Sequence, residues 1–263
     1  MQSRSVQAET AALLEVQGVT RRFGGVPAVD DVSLVVRPGE IVGLIGPNGA
    51  GKTTMFDLIA GDLAPDRGKI LLKGREIQGE PAHRRLGRGL GRTFQIPRPF
   101  GHMTLLENVM VARQGQNGER VLPNWLAPRR VAGEERETKD RAMALLNFVA
   151  LQPLAREPAR ILSGGQRKLL EIARAMMAEP QIMLLDEPAA GVNPSLLQVI
   201  IERLLEINRR GVTFLLIEHN MDLVARLCGR VLVMAGGKLL CEGAPAEVSR
   251  DPRVIEAYLG GSR

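Results

Sequence analysis

The composition of this 263-residue chain excludes several classes of protein. With 44% hydrophobic and 24% charged residues it resembles a folded protein rather than a disordered one, and its length suits one core with an inserted subdomain. A net charge of +6 allows contact with phosphates, nucleic acid or an anionic membrane surface without selecting among them. The two cysteines, Cys228 and Cys241, fit neither a CxxC metal site nor a disulfide framework, which favours a reducing compartment and argues against zinc.

No part of the sequence predicts a membrane-spanning segment. The N-terminal stretch MQSRSVQAETAALLEVQG has no apolar run long enough for a signal peptide, and no run of about 18 apolar residues occurs anywhere in the sequence. If the protein works at a membrane, we expect another chain to bring it there. Most of the charges are expected to form a solvated basic surface. One local cluster of arginines stands out and comprises Arg84, Arg85, Arg88, Arg92 and Arg98.

The predicted strands fall into two kinds. Residues 13–37 alternate in LLEVQGVTRRF and AVDDVSLVV, which is typical of half-buried antiparallel strands. Three later runs, EIVGLIG, QIMLLDE and VTFLLIEH, are continuously apolar, as strands buried on both faces of a parallel sheet are. Each of these runs ends in residues that could bind a ligand or take part in catalysis: a glycine, an acidic pair, or a glutamate followed by a histidine. We therefore expect one shared site beyond the carboxyl ends of the strands.

The middle of the chain is predicted to be helical. Between Gln95 and Ser163 no strand-like run occurs, and TLLENVMVA and ETKDRAMALLNFVALQ show helical spacing. Further on, RVLVMAGGKLLCEG predicts a hairpin that turns at Gly236 and Gly237. The predicted organisation is an N-terminal extension (1–12), a first part of the core (13–95), an inserted helical subdomain (96–162), a second part of the core (163–243) and a short helical tail (244–263).

The stretch GPNGAGKT is the strongest motif. It follows a predicted strand and precedes the predicted helix TTMFDLIAG, which is the context that G-x-x-x-x-G-K-[ST] requires. Its glycines let the backbone curl around phosphates, and the helix N-terminus favours negative charge. Lys52 would reach the β and γ phosphates, and the Thr53 hydroxyl would hold Mg²⁺. The residues expected to bind ATP or GTP are Gly46, Pro47, Asn48, Gly49, Ala50, Gly51, Lys52, Thr53 and Thr54.

Acidic residues and a histidine follow the next two buried strands. Asp186 could be a simple turn residue, but P-loop proteins hold Mg²⁺ with the loop hydroxyl and such an aspartate. Strand alternation directs Glu187 elsewhere, toward the attacking water, so we predict it as the general base. Glu218 is a weaker candidate that could be a solvated strand end. His219 ends the third strand and could donate a hydrogen bond to the γ phosphate while uncharged.

A second pair of glycines opens the helix predicted in LSGGQRKLLEIARAMMAEP, whose apolar residues recur with helical spacing. Ser163 suits the N-cap, and Gly164 and Gly165 have no side chain that would block an anion. Serine and flexible glycines could also merely start a helix. The segment leads directly into the strand that carries Asp186, which favours a functional role.

Four motifs, GPNGAGKTT, LSGGQRK, MLLDEP and a histidine after the next strand, together resemble the nucleotide-binding subunit of ABC transporters over nearly the whole chain. The resemblance implies an α/β fold: a P-loop, RecA-like mixed sheet with an N-terminal antiparallel β subdomain and an inserted helical subdomain. It further implies a head-to-tail dimer in which the signature of one chain holds the γ phosphate bound to the other. The signature residues are Ser163, Gly164, Gly165 and Gln166.

The same resemblance implies roles for residues outside the main motifs. Phe23 would stack on adenine, although a core aromatic is the alternative, and Gln95 would contact the Mg²⁺ ion and the attacking water. The helical subdomain would dock on membrane-spanning subunits. One departure concerns the loop after the acidic pair, where Asn193 stands in place of the usual aspartate and puts the communication role of that loop in doubt.

The stretches RTFQIPRPFGHMTLLENVMVA, PAAGVNP, LLIEHNMDLV and AYLG resemble the ATP-binding subunit of bacterial branched-chain amino acid importers. This implies an ATP hydrolase, peripheral on the cytoplasmic face of the inner membrane. Its partners would be a second copy of itself or a homologous ATPase, permease subunits and, indirectly, a periplasmic solute-binding protein, with no nucleic acid.

Three alternatives remain open. Lipopolysaccharide-export and urea-import ATPases are close relatives of the importer subunits. A soluble cassette ATPase that acts on nucleic acid or ribosomes is slightly favoured by the basic charge, but paired cassettes, a long coiled coil or zinc motifs would accompany it, and the sequence has none of them. A nucleotide-binding regulator without turnover is disfavoured because Glu187, His219 and Gln95 are all present.

Overall fold

The first part of the chain forms an antiparallel hairpin in the computed structural model, which describes residues 11–93, 99–115 and 128–259. Strands β1 (Leu14–Phe23) and β2 (Val26–Val36) pair with Leu14 opposite Val36. Leu14 and Val16 are buried and their neighbours are more exposed, because successive side chains of a strand point to opposite faces; the alternation breaks at Val19 and Thr20, where the register shifts. The predicted pair of half-buried antiparallel strands is confirmed.

The next six elements include the last two strands of this first sheet and two strands of a second, larger sheet. The elements in order are β3 (Ile41–Ile45), α1 (Lys52–Ala60), β4 (Arg67–Leu72), β5 (Arg75–Glu76), α2 (Ala82–Gly87) and β6 (Leu90–Arg92). Strands β4 and β5 complete a four-stranded sheet in the order β2-β1-β4-β5. The elements β4, β5, α2 and β6 were not predicted. Strand β6 in particular is only three residues long and contains a glycine, so it carries no apolar run to detect.

The described part of the predicted insert consists of helices and turns. It contains α3 (Leu105–Met110), α4 (Pro128–Phe148) and the 3₁₀ turns Gln152–Leu154 and Ala159–Ile161, with one isolated bridge between Thr104 and Pro158. Helices α3 and α4 pack against each other and against α5 (Gly164–Met177). The helical character is as predicted, and the boundaries at 96 and 162 remain predictions.

A mixed six-stranded sheet forms the centre of the molecule. The remaining elements are β7 (Ile182–Asp186), α6 (Pro194–Arg209), β8 (Thr213–Ile217), α7 (Met221–Leu227), β9 (Arg230–Ala235), β10 (Lys238–Gly243), α8 (Pro245–Val248) and α9 (Pro252–Leu259). The strand order is β10-β9-β3-β8-β7-β6. All neighbours pair in parallel except β9 and β10, the predicted hairpin. Helices α6 and α7 were not among the predicted elements.

The two faces of this sheet belong to two different cores. Val42 and Leu44 of β3 pack in the core that contains α1 and the four-stranded sheet. Ile41 and Ile45 of the same strand pack in the core formed by helices α3 to α9. Because both faces are covered, the strands are apolar throughout, which is why their sequences read as continuous runs.

The arginine cluster is not a single surface patch. Arg85 is buried and donates hydrogen bonds to the carbonyls of Leu58 and Ile59 at 2.6 and 2.7 Å, so it holds the C-terminal end of α1. Arg88 pairs with Glu80. Arg98 lies outside the described residues. Among those residues, no helix combines the length and apolarity needed to cross a membrane.

Candidate functional site

The phosphate loop joins the end of β3 to the start of α1. Gly46 and Gly51 have φ angles of 148° and 95°, which few other residues tolerate. A Cβ on Gly46 would lie 2.0 Å from the carbonyl oxygen of Met234, and one on Gly51 would lie 2.2 Å from that of Ala28. The loop therefore packs tightly against β9 and β2 on one side. Its exposed residues are Asn48, Gly49 and Thr53.

Lys52 is buried at the first position of α1. Its ammonium donates hydrogen bonds to the carbonyls of Gly46 at 2.7 Å and Pro47 at 2.9 Å, so it spans the loop from inside. Burial lowers the pKa of Lys52, while the carboxylates of Glu187 and Asp186 act in the opposite direction. The cation thus faces the acidic ends of the neighbouring strands.

Asp186 is the last residue of β7 and is only 6% exposed. Burial raises the pKa of its carboxyl, with Arg92 opposing and Glu187 reinforcing the rise. The nearest Arg92 nitrogen lies 3.7 Å from the carboxylate, while Arg92 contacts both Asp57 and Asp62 at 2.7 Å. Arg92 therefore compensates the buried carboxylate only partly.

Glu187 and His219 meet at the ends of adjacent strands. Asp186 pairs in register with Ile217, which brings the two following segments together. The carboxylate of Glu187 lies 2.7 Å from Nε2 of His219, and both side chains retain exposure, 18% for Glu187 and 44% for His219. The structure thus brings together two residues that lie 32 positions apart.

Glu218 is not a solvated strand end. It is 3% exposed, and its carboxylate accepts hydrogen bonds from the backbone N–H groups of Ala189 at 2.8 Å and His219 at 3.1 Å. It is thereby engaged with the loops that carry the acidic pair and the histidine. A solvated side chain is therefore the wrong description of this residue.

The signature segment begins α5 with a complete capping box. The Ser163 hydroxyl accepts from the N–H of Gln166, and the Gln166 side chain accepts from the N–H of Ser163 at 3.0 Å. This confirms Ser163 as the N-cap. Gly164 is exposed, whereas Gly165 is buried and a Cβ there would lie 2.3 Å from the Leu196 side chain. Close packing on α6 therefore explains the second glycine, and the first leaves the helix end open.

The helices that follow the two glycine motifs lie on opposite faces of the six-stranded sheet. Helix α1, which follows the phosphate loop, packs in one core, and α5, which follows the signature, packs in the other.

Of three other residues singled out in the sequence, the structure describes two, Phe23 and Asn193. Phe23 is 47% exposed at the end of β1, with the Arg21 guanidinium 5.1 Å from its ring centre, so it is not a core aromatic. Asn193 caps α6 by accepting from the N–H of Leu196 at 2.9 Å, a bond that an aspartate would also make. Gln95 lies outside the described residues.

The comparison with protein families agrees with this arrangement. The model of the ABC transporter family matches residues 29–190, more than half of the chain. The chain belongs to this family. A second model, described as branched-chain amino acid ATP-binding cassette transporter, matches residues 238–263 of the cassette.

Similar proteins are known for almost the full length of the cassette. The high-affinity branched-chain amino acid transport ATP-binding protein BraF of Pseudomonas aeruginosa is 43% identical and covers 94% of this chain and 98% of its own. LivG of Escherichia coli, described in the same terms, is 41% identical with the same coverage. A crystal structure of a nucleotide-free ATP-binding cassette from an ABC transporter superposes with a TM-score of 0.82 at 36% identity and covers 94% of this chain and 98% of that one.

Sequence reasoning missed two polar residues of the cassette's site. Lys168 donates a hydrogen bond to the backbone carbonyl of Glu187, and Arg92 lies beside Asp186. Lys168 lies two residues after the signature, where it reads as one more helix residue. Its position four residues before Ile172 places it on the apolar face of the helix, which indicates burial but does not identify its acceptor.

Proposed function

We propose that this cassette is the ATP-hydrolysing subunit of an importer of branched-chain amino acids. The observation that carries the proposal is the convergence of the phosphate loop, Asp186 and the Glu187–His219 pair at the carboxyl ends of β3, β7 and β8. The transported class is inferred from the names of BraF and LivG, to which the chain is similar over nearly its full length.

The residues present fit a magnesium nucleotide. Gly46 and Gly51 let the loop backbone pack against β9 and β2, and the loop exposes Asn48, Gly49 and Thr53 on its other side. Asp186 is a buried carboxylate whose raised pKa reflects poor compensation of its charge. Thr53 and Asp186, with Gln95, would hold Mg²⁺, which neutralises charge on the phosphates when bound.

The chain's own residues then supply the chemistry. Lys52 directs its ammonium into the loop, where it would bind the β and γ phosphates. Glu187 would accept a proton from water as the water oxygen bonds to the γ phosphorus and the bond to the bridging oxygen of ADP breaks. Nε2 of His219 lies at the Glu187 carboxylate in the free chain, and with nucleotide bound its N–H would donate to the γ phosphate instead. Phe23, exposed near β2, would stack on adenine.

Two chains would be needed for one complete site. Helices α1 and α5, which follow the phosphate loop and the signature, lie on opposite faces of the sheet, and a head-to-tail pair would bring the signature of each chain to the nucleotide of the other. Ser163, Gly164, Gly165 and Gln166 would bind the partner's γ phosphate. The second chain would be another copy or a homologous ATPase.

The location and the membrane partners follow from the same proposal. The cassette would lie peripherally on the cytoplasmic face of the inner membrane. Its helical subdomain, residues 96–162, would dock on permease subunits, and a periplasmic solute-binding protein would join the assembly indirectly. The core would comprise residues 13–95 and 163–243, with residues 244–263 as a tail.

The test is an affinity purification from gently solubilised native membranes with the Glu187→Gln variant and ATP, followed by mass spectrometry. We expect multi-spanning permease subunits together with a periplasmic amino-acid-binding protein. The matched control is Glu202→Gln, an exposed glutamate on α6, purified with ATP. Recovery of ribosomal or nucleic-acid-binding proteins without a permease would overturn the transport assignment, and a lipopolysaccharide or urea permease would replace the proposed cargo.

A further inference from the structure

Glu187 has a strained backbone. Its φ angle is 48°, in the left-handed region that residues with a Cβ adopt uncommonly. Such a conformation persists only where the surroundings hold it in place. The groups that hold the Glu187 backbone therefore also decide where its carboxylate lies.

Lys168 holds one side of this backbone. The N–H of Glu187 donates to the carbonyl of Ile217 in β8 at 3.0 Å, and the carbonyl of Glu187 accepts from the ammonium of Lys168. Lys168 is only 8% exposed and lies in the first turns of α5, the helix that Ser163 caps. A buried, charged donor on a carbonyl is a strong hydrogen bond because water does not compete for either group.

Glu218 holds the other side. Its carboxylate accepts from the N–H of Ala189, two residues after Glu187, and from the N–H of His219, the partner of the Glu187 carboxylate. The loops that carry both catalytic side chains are thereby tied to one buried acid. The hydrogen bonds of both groups go to backbone atoms of these loops, so the two groups act on the position of the catalytic side chains.

The two charges also support each other. Burial lowers the pKa of Lys168, and among the acidic groups that oppose this change Glu218 acts most strongly, ahead of Glu171, Glu187 and Asp186. A buried charge persists when it is paired and hydrogen-bonded. Lys168 and Glu218 are thus buried groups of opposite charge, each hydrogen-bonded to backbone atoms of the segments that carry Glu187 and His219.

We propose that Lys168 and Glu218 are positioning residues that hold Glu187 in its working geometry and connect it to the signature helix. The inference rests on the proposed role of Glu187. Lys168 belongs to the helix that begins at the signature, so its hydrogen bond joins the Glu187 carbonyl to that helix of the same chain.

The experiment measures MgATP turnover by the purified full-length chain, with nucleotide affinity determined separately. The variants are Lys168→Met, Glu218→Gln and the double variant, and Lys139→Met and Glu202→Gln, both at exposed positions, are the matched controls. We expect each single variant to lower kcat about tenfold or more, since small displacements of a catalytic group are costly, while KM and affinity for MgATP change less than about twofold. The double variant should lose no more than the worse single variant, because both residues act on one group.

Several outcomes would overturn the inference. These are turnover within about twofold of wild type in the single variants, equal losses in kcat and nucleotide affinity, or losses that multiply in the double variant. If a single variant fails to fold because it leaves a buried charge unpaired, Lys168→Arg decides, since it keeps a charged donor. It should retain most of the turnover, and inactivity of a folded, ATP-binding Lys168→Arg protein contradicts the proposal.

Glu187→Gln in the same assay separates this inference from the proposed function. If Glu187→Gln hydrolyses MgATP at the wild-type rate, Glu187 is not the general base, and both the proposed function of this residue and the present inference are contradicted. If Glu187→Gln is inactive while Lys168→Met turns over normally, only the positioning role falls. Amide hydrogen exchange supplies a readout without turnover, because loosening the loop should speed exchange at Ala189 in both single variants.

Discussion

Single residues of the site carry charges that the fold does not fully compensate. Asp186 is nearly inaccessible, and burial raises the pKa of its carboxyl, while burial lowers the pKa of Lys52 close by. In both cases the charged form is the disfavoured one, which a ligand of opposite charge reverses. Bound Mg²⁺ would do so for Asp186 and phosphates for Lys52. The site is therefore built at some expense of stability.

The first prediction concerns Asp186→Asn. A carboxyl whose pKa is raised in the folded state destabilises that state once it ionises, so its full cost is present above the raised pKa and is relieved as pH falls below that pKa toward the unfolded-state value. Removing the charge should leave Tm without nucleotide equal or higher, since Arg92 keeps Asp57 and Asp62. Saturating MgATP should no longer raise Tm, because the variant loses the stabilisation by bound ligand, which is about 2.7 kcal/mol at a hundredfold excess over Kd.

The measurement is thermal unfolding with and without MgATP at pH 7.5. Asp140→Asn, an exposed carboxylate on α4, is the control and should keep both values. A variant that is less stable without nucleotide, yet is still stabilised by MgATP, contradicts the assignment of Asp186 to the metal.

The second prediction concerns Gly51→Ala. A Cβ there would overlap the carbonyl of Ala28 in β2, and φ is 95°, so we expect a loss of roughly 1–3 kcal/mol in unfolding free energy together with loss of ATP binding. Gly133→Ala is the contrast. Gly133 lies in α4, where a Cβ would have no neighbour within 4 Å, and alanine should stabilise the helix by about 0.5–1 kcal/mol. Urea unfolding of both variants measures whether the unfolding free energy falls in Gly51→Ala and rises in Gly133→Ala. A Gly51→Ala protein that is as stable as wild type and still binds ATP would contradict the loop geometry.

At the scale of whole helices, the same capping interaction occurs at two helix starts, and only one of these starts lies in a segment with a proposed function. Two helices, α3 and α5, start with a full capping box, built by Thr104 and Glu107 in one case and by Ser163 and Gln166 in the other. Both boxes satisfy the backbone N–H groups that a helix start leaves unpaired. Only the second lies in a segment proposed to bind the partner's nucleotide.

The third prediction compares Ser163→Ala with Thr104→Ala. Each should lower the unfolding free energy by about 1 kcal/mol, because each removes one N-cap. Only Ser163→Ala should also lower ATP turnover by the isolated cassette. Chemical denaturation and phosphate release measured on the same preparations test this. An equal fall in turnover for both variants would reduce the role of Ser163 to helix stability.

At the scale of the whole molecule, the sequence predicted what burial and local motifs determine. The strands β3, β7 and β8 are buried on both faces, so they appear as apolar runs, and their polar ends meet because parallel neighbours end at one edge. Strand β6 escaped prediction since its pairing with β7 leaves no trace in three residues. Side chains that bind distant backbone atoms, such as Arg85 on α1 and Lys168 on Glu187, could not be predicted because their acceptors carry no sequence signal.

The last prediction tests the pairing of two chains. Gly164 is exposed at the first position of α5, and a Cβ there would lie 3.9 Å from its nearest neighbour, so a small side chain fits. An aspartate there is favourable for the isolated chain, since negative charge stabilises a helix N-terminus by about 0.3–1 kcal/mol. The same charge would face the triphosphate bound to a partner. Gly164→Asp should therefore keep Tm and ATP affinity in the monomer but abolish ATP-induced dimers.

The measurement is sedimentation velocity of Glu187→Gln, with and without the additional Gly164→Asp substitution, in ATP and in ADP. Glu187→Gln alone should dimerise in ATP, because hydrolysis no longer releases the pair. Gly164→Asn, neutral and of similar size, isolates the effect of charge and should dimerise better than Gly164→Asp. If Gly164→Asp dimerises as readily as its parent, the signature does not contact the partner's phosphates, and the opposite placement of α1 and α5 needs another explanation.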